Sequence, residues 1–225
     1  MTAWPYDLTA EFYDVDMGRN TDERDVAWYV AEASRAVATL GGPVLEWGCG
    51  TGRVTLALAA AGIEVIAADL SPPMLGVLVR KAAAAELAER IRPLVSDMAR
   101  PACARPVAAI LCPYSAFGYL VDPDDRARML AGAHAGLLPG GRLLLDMYVP
   151  DEALPEDTEI ADYVRELPAD GRWAPAVRLA RSKWLAHDPR TGINRIDRHY
   201  RFLAADGGLV REVRTTSLQR PYPPE

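Results

Sequence analysis

Val44-Leu45-Glu46-Trp47-Gly48-Cys49-Gly50-Thr51-Gly52-Arg53 decides the fold. A short apolar run enters a turn with glycine at every second position, and Val54-Thr55-Leu56-Ala57-Leu58 resumes with helical character. Strand, glycine turn and helix in that order form the first half of a βα unit. Glycines let backbone N–H groups approach a bound molecule without an intervening Cβ, and the following helix turns its N-terminal dipole toward negative charge.

Outward from this stretch the same grammar repeats. Residues 53–61 form a helix, 64–68 a strand, and 72–89 a helix capped by Ser71 with proline in its first turn. Residues 92–96 and 106–112 are the next two strands, the latter apolar throughout as a strand covered on both faces should be. Asp122-Pro123 opens another helix that ends at Leu137-Leu138-Pro139-Gly140-Gly141, and residues 142–148 give a fifth strand. Alternating βα units imply an α/β fold with a doubly wound, Rossmann-like parallel sheet and right-handed crossovers.

Upstream, Tyr6 to Asp14 reads as a short helix or turn broken at Met17-Gly18-Arg19-Asn20. A longer helix capped by Asn20 or Thr21 comes next, with Val26, Tyr29, Val30, Ala33, Val37 and Leu40 at helical spacing. Downstream of Pro150 the pattern changes. Residues 151–162 are acidic and proline-broken, and from about Val177 to Leu218 strands succeed one another without helices, separated by Asp188-Pro189-Arg190-Thr191-Gly192 and Asp206-Gly207-Gly208. Ile196, Tyr200 and Phe202 alternate with Arg195, Asp197, His199 and Arg201, the period of a half-buried antiparallel strand. The expected organisation is an N-terminal helical cap (1–42), the parallel-sheet domain (43–150) and an antiparallel lid (151–225).

A chain of 225 residues with net charge −6 can bury a substantial core. Through residue 164 it carries 13 Lys+Arg against 24 Asp+Glu, and thereafter 12 against 7. An acidic first half disfavours nucleic acid as the partner, while the basic remainder suits solvated strand faces or a wall facing an anionic substrate. No apolar run is long enough to span a membrane, and the N-terminus lacks the order of a signal peptide, so a cytoplasmic protein is expected. Cys49, Cys103 and Cys112 have neither the even count of a disulfide framework nor zinc-ligand spacing, so reduced thiols and no metal are expected.

In such a sheet the ligand sits beyond the carboxyl ends of the strands. The residues there are the glycine loop, then Asp69, then Asp97-Met98, then Cys112-Pro113-Tyr114-Ser115-Ala116-Phe117-Gly118-Tyr119. An acid ending the second strand can accept hydrogen bonds from two ribose hydroxyls, and Asp97 can accept from an adenine amine. The G-x-G-x-G spacing departs from the G-x-G-x-x-G of dinucleotide oxidoreductases.

Glu46-Trp47-Gly48-Cys49-Gly50-Thr51-Gly52, Asp69-Leu70-Ser71-Pro72-Pro73-Met74-Leu75, Ser96-Asp97-Met98 and Leu137-Leu138-Pro139-Gly140-Gly141 together resemble class I S-adenosylmethionine-dependent methyltransferases, in the small-molecule branch that includes sugar and natural-product N- and O-methyltransferases. The resemblance is strong over residues 43–148 and weak in the flanks. It implies that Gly48, Cys49, Gly50 and Gly52 lie against the methionyl part of the cofactor with Glu46 behind them, that Asp69 holds the ribose, and that Leu70 and Met98 flank the adenine with Asp97 at its amine. Met74 and Cys112 complete the implied cofactor set. The product would be S-adenosylhomocysteine.

Tyr13 resembles a tyrosine that many such enzymes place over the cofactor from an N-terminal helix. Tyr119 stands where some sugar and natural-product N-methyltransferases carry histidine. Both are candidate catalytic residues, although a tyrosine titrating near ~10 is a weak base at neutral pH and Tyr119 would instead orient the acceptor or pack. Arg19 is a candidate for the cofactor carboxylate. Trp173, Trp184 and Tyr200 are candidate pocket walls, with Arg178, Arg198 or Arg201 as anionic handles and core or surface packing as the alternative. The family's closing helix and reversed strand pair are expected to be missing after Arg220. The implied partner is a small-molecule acceptor, with no nucleic acid or membrane and a homodimer admitted. A protein or nucleic-acid methyltransferase and a noncatalytic cofactor-binding fold are the alternatives.

Overall fold

The structure is a computed structural model, and it describes residues 4–17, 24–101, 105–148, 157–159 and 163–222, with backbone alone at 157–159. The expected cap at Asn20 or Thr21, most of the acidic stretch 151–162, Arg19 and Cys103 lie outside the described residues. The chain divides into two compact units, one of residues 20–148 and the other of residues 1–19 with 149–225.

The first unit is a parallel sheet in the order β3-β2-β1-β4-β5. Its strands are β1 (Val44–Trp47), β2 (Val65–Asp69), β3 (Ile91–Val95), β4 (Val107–Cys112) and β5 (Leu137–Leu145). Every residue of β1, β2 and β4 is buried, which is why these strands read as continuous apolar runs. β3 is an edge strand, exposed after Ile91 and carrying Pro93, a residue a central strand would reject. β5 forms the other edge. It begins earlier than expected, because Leu137 already pairs with Val107 before the register shifts across Pro139-Gly140-Gly141.

The helices obey the periodicity. In α2 (Arg24–Leu40), Val26, Tyr29, Ala33 and Ala36 are buried, and they pack with Val54 and Leu58 of α3 (Arg53–Ala60) on Val44, Val65 and Ala109. α4 (Pro72–Ala84) starts where Ser71 accepts from the Met74 N–H at 3.3 Å, with Pro72 in its first turn. It ends before the predicted Glu89, since Glu86 adopts φ +58 and a short 3-10 turn, Ala88–Arg90, leads into β3. In α5 (Pro123–Gly136), Asp122 caps by accepting from the Asp124 N–H at 2.8 Å.

The second unit is antiparallel. β8 (Arg178–Asp188), β9 (Ile193–Leu203) and β10 (Leu209–Gln219) form a meander, and β6 (Asp157–Glu159) and β7 (Tyr163–Glu166) share the other edge of β8. The expected alternation in β9 holds, with Ile196, Tyr200 and Phe202 buried between more exposed charged neighbours. Residues 1–42, expected as one cap, are shared between the units. α2 belongs with the parallel sheet, while Phe12 and α1 (Tyr13–Met17) belong with the antiparallel one.

The reason lies in two residues four apart, which face the same way on a helical turn. Phe12 meets Tyr200 and Phe202 edge-on at 4.9 and 5.1 Å between ring centres. Asp16, buried, accepts from Arg181 Nη1 at 2.8 Å and from the Tyr200 hydroxyl at 2.9 Å. Arg181 is itself buried and lies 4.4 Å from the Tyr163 ring centre. Removing one partner of a buried ion pair strands the other, so Asp16→Ala should destabilise this unit by about 3–5 kcal/mol in urea denaturation. Asp188→Ala, at an exposed turn pair, should leave the urea midpoint close to that of the wild type.

Candidate active site

Five strands of the first unit end toward one side, and the polar groups there interlock. Asp69, the last residue of β2, is nearly buried and uses both carboxylate oxygens. One accepts from the Gly50 N–H at 2.8 Å and the other from the Ser71 N–H at 2.8 Å. The first βα turn is thereby tied to the start of α4. Backbone bonds from Cys49 N–H to the Ala68 carbonyl and from Ser96 N–H to the Asp69 carbonyl extend the tie to the turn after β3. There Asp97 accepts from the Ala99 N–H at 2.8 Å and stays half-buried with Met98, while Leu70 is exposed.

The loop's conformation explains its glycines at two positions. Gly52 adopts φ +90, where an L side chain is strained, and a Cβ there would fall 2.3 Å from Leu78 Cδ1, so the buried Leu78 would also have to move. Gly50 is different. It adopts φ +56, and a Cβ there would meet nothing within 4 Å, so the space before this loop beside Asp69 is open.

Glu46 lies beneath the loop, on the sheet face that α3 covers. It is 2% exposed and accepts from the Thr55 hydroxyl at 2.5 Å. Burial lifts its carboxyl to about 8, against the opposing pull of the Thr55 bond and the Arg53 charge. Met74 and Cys112 belong to the packed interior, and burial pushes the Cys112 thiol up to about 12. The Cys49 thiol is also raised by burial, so neither cysteine supplies a thiolate.

Tyr119 closes a 3-10 turn (Ala116–Tyr119) just after β4, half-buried. Tyr13 belongs to the other unit, where its ring meets Tyr6 edge-on at 5.9 Å. The expected pocket walls of that unit do not form a set. Tyr200 is sealed in an aromatic core with Phe12, Trp173 and Phe202, whereas Trp184 pairs with Asp197 on the opposite sheet face and is 41% exposed. Of the arginines, Arg178 donates to the Ala204 and Ala205 carbonyls, Arg201 to Ser182, and Arg198 to Ser217. His187 and His199 are engaged by Asn194 and Glu212, and His134 is exposed on α5.

Asp146, the residue after β5, was not among the expected site residues. It accepts from the Tyr29 hydroxyl and from the backbone of Tyr114 and Ser115. The strand-end rule that picked Asp69 and Asp97 passes over it, because the fifth strand, expected over 142–148, ends at Leu145 and leaves Asp146 just beyond it.

An open glycine turn and acids at the end of β2 and after β3 thus line the carboxyl edge of a parallel α/β sheet. Residues 44–141 match the family described as methyltransferase domain. The chain is 30% identical over 112 residues to the cypemycin N-terminal methyltransferase of a Streptomyces species, a stretch that is 50% of this chain and 44% of that protein. It therefore spans under half the length of that relative. Among solved structures, the CcbJ methyltransferase of Streptomyces caelestis superposes with a TM-score of 0.70 at 24% identity, over 97% of this chain and 82% of that one. An amino pentose methyltransferase of Micromonospora echinaspora, solved with S-adenosylmethionine bound, gives 0.68 at 20% identity over 95% and 83%. The first unit thus shares the fold of these methyltransferases, and residues 44–141 within it match the methyltransferase domain family.

The Glu46 carboxyl makes stability depend on pH. Between about 4.5 and about 8 the unfolded chain has released the Glu46 proton while the folded chain keeps it. The folded state binds more protons there, so this contribution falls as pH rises, by about 1.4 kcal/mol per pH unit in mid-window. Glu46→Gln should flatten that limb in denaturant titrations across the window. An unchanged slope would place the titration elsewhere.

Proposed function

We propose that the chain transfers the methyl group of S-adenosylmethionine to an amine nitrogen or hydroxyl oxygen of a small molecule. The observation that carries this reading is the Asp69 carboxylate, fixed by two backbone bonds at the edge of the open space before Gly50. The bound sulfonium supplies an already activated methyl group. What the chain must add is placement and exclusion of water, not strong acid–base chemistry.

In this reading Asp69 holds the ribose, Asp97 accepts from the adenine amine with Leu70 and Met98 beside the ring, and the Gly48–Gly52 backbone carries the methionyl end above Glu46. An incoming ammonium above Glu46 would favour its ionised form, so cofactor binding expels a proton when pH is below about 8. Tyr119, closing the turn after β4, orients the acceptor. An amine acceptor is favoured by the N-terminal methyltransferase at 30% identity. The acidic first half of the chain speaks against a nucleic-acid substrate. Among the described residues no helix is long and apolar enough to cross a membrane. The free thiols of Cys49 and Cys112 suit a reducing compartment, and we place the enzyme in the cytoplasm.

Isothermal calorimetry with S-adenosylmethionine tests the reading. The wild-type chain should bind, and Asp69→Ala should bind about 10- to 100-fold more weakly, the range expected for lost hydrogen bonds to a charged group. Thermal melting of the unliganded variant separates lost affinity from lost fold. Absence of binding by the intact protein at millimolar cofactor would overturn it.

A further inference from the structure

Between β4 and the Ala116–Tyr119 turn the backbone does something unusual for residues with side chains. Tyr114 adopts φ +58 and Ser115 φ +57, two successive non-glycine residues in the left-handed region. Such residues persist only where their surroundings over-determine them. Here the surroundings are a carboxylate. Asp146 accepts from the Tyr114 N–H at 2.6 Å through Oδ1 and from the Ser115 N–H at 3.0 Å through Oδ2. Successive N–H groups turned to one side make a concave anion seat, and Asp146 fills it.

A third donor locks the carboxylate. The hydroxyl of Tyr29, fully buried in α2, donates to Asp146 Oδ1 at 2.6 Å. Burial first, and then the Asp146 charge, push this phenol far above its ordinary range, so it remains a donor. One turn earlier in α2, Asp25 grips Arg53 through both oxygens at 2.9 and 2.6 Å, and the Arg53 guanidinium lies 5.4 Å from the Tyr114 ring centre. One helix thus holds the turn through its backbone, by Tyr29 and Asp146, and through its side chain, by Asp25 and Arg53.

The acceptor side of the site comes directly after this turn. The Ser115 carbonyl accepts from the Gly118 N–H at 2.9 Å, starting the 3-10 turn that ends at Tyr119. The Ala116 methyl lies so near Gly48 that a Cβ on that glycine would sit 3.0 Å from it. A shift of the turn therefore moves Ala116 relative to the glycine loop and Tyr119 with it.

We infer that Asp146, aided by Tyr29, is a positioning residue for methyl transfer: its carboxylate seats the left-handed Tyr114–Ser115 turn, and through it the Ala116–Tyr119 segment, against the cofactor loop. The inference rests on the methyl-transfer reading for its purpose, but the latch itself is testable alone. Asparagine offers one acceptor oxygen where three donors converge, so Asp146→Asn must release at least one of them.

Amide hydrogen exchange followed by mass spectrometry, on the full chain as wild type, Asp146→Asn and Tyr29→Phe, decides the matter. Exchange in peptides covering 113–120 should rise by about tenfold or more in Asp146→Asn and less in Tyr29→Phe, while β1 and β2 keep wild-type protection. S-adenosylmethionine affinity by calorimetry should stay within about threefold, because the ribose-side contacts are untouched. Unchanged exchange at 113–120 overturns the inference, and so does a rise spread evenly through the sheet, which marks Asp146 as a general stabiliser. If Asp146→Asn fails to fold, Tyr29→Phe gives the same two outcomes. Loss of cofactor binding by the wild type would remove the functional reading and leave the exchange result to judge the latch.

Discussion

The site depends on one carboxylate bridging two turns. Asp69 sits where β2 ends, and its two oxygens receive the N–H groups of Gly50 and Ser71, one from each neighbouring βα connection. Without that bridge the glycine loop would be a free turn and α4 would start from a separate one. With it, both turns and the open space between them take a single geometry. The constraint explains why an acid, and not merely a polar residue, suits this position. A carboxylate can accept on both of its oxygens, whereas an amide or a hydroxyl offers a single acceptor atom.

Two acids at this end of the sheet live in opposite environments. Asp69 is satisfied by backbone donors at the rim, whereas Glu46 lies under the loop with a single hydroxyl partner, Thr55, and burial holds it protonated to about 8. One strand end thus presents a fixed acceptor and the other a group whose charge answers to what binds above it. Neighbouring carboxyl groups pushed apart in this way are a common means of giving one residue type two roles.

The division of the chain also has a physical origin. A five-residue helix has little stability of its own and takes its place from tertiary contacts. Phe12 finds an aromatic socket in Tyr200 and Phe202, and Asp16 finds the otherwise stranded charge of Arg181. Those two anchors bind the N-terminal segment to strands more than 160 residues away in sequence. The longer α2 has its own apolar stripe and packs on the parallel sheet, so neighbouring helices serve different units.

The βα alternation, the buried central strands and the acids at the ends of β2 and β3 were legible in the sequence, because each is a local pattern. Strand burial shows as an apolar run, a helix start as Ser71-Pro72, and a strand-end acid by its offset from that run. Boundaries slipped where local signals conflicted, as at Leu137–Gly141, where turn residues are absorbed into an edge strand. The sequence by itself therefore determined the layers and the places of the strand-end acids, since periodicity and spacing are properties of neighbours. The partners of Asp16, the opposite faces of Trp184 and Tyr200, and the convergence of Tyr29, Tyr114 and Ser115 on Asp146 were decided only by the tertiary structure. Their hydrogen bonds join residues between 31 and 184 positions apart, and nothing in either local stretch encodes which distant group will meet it.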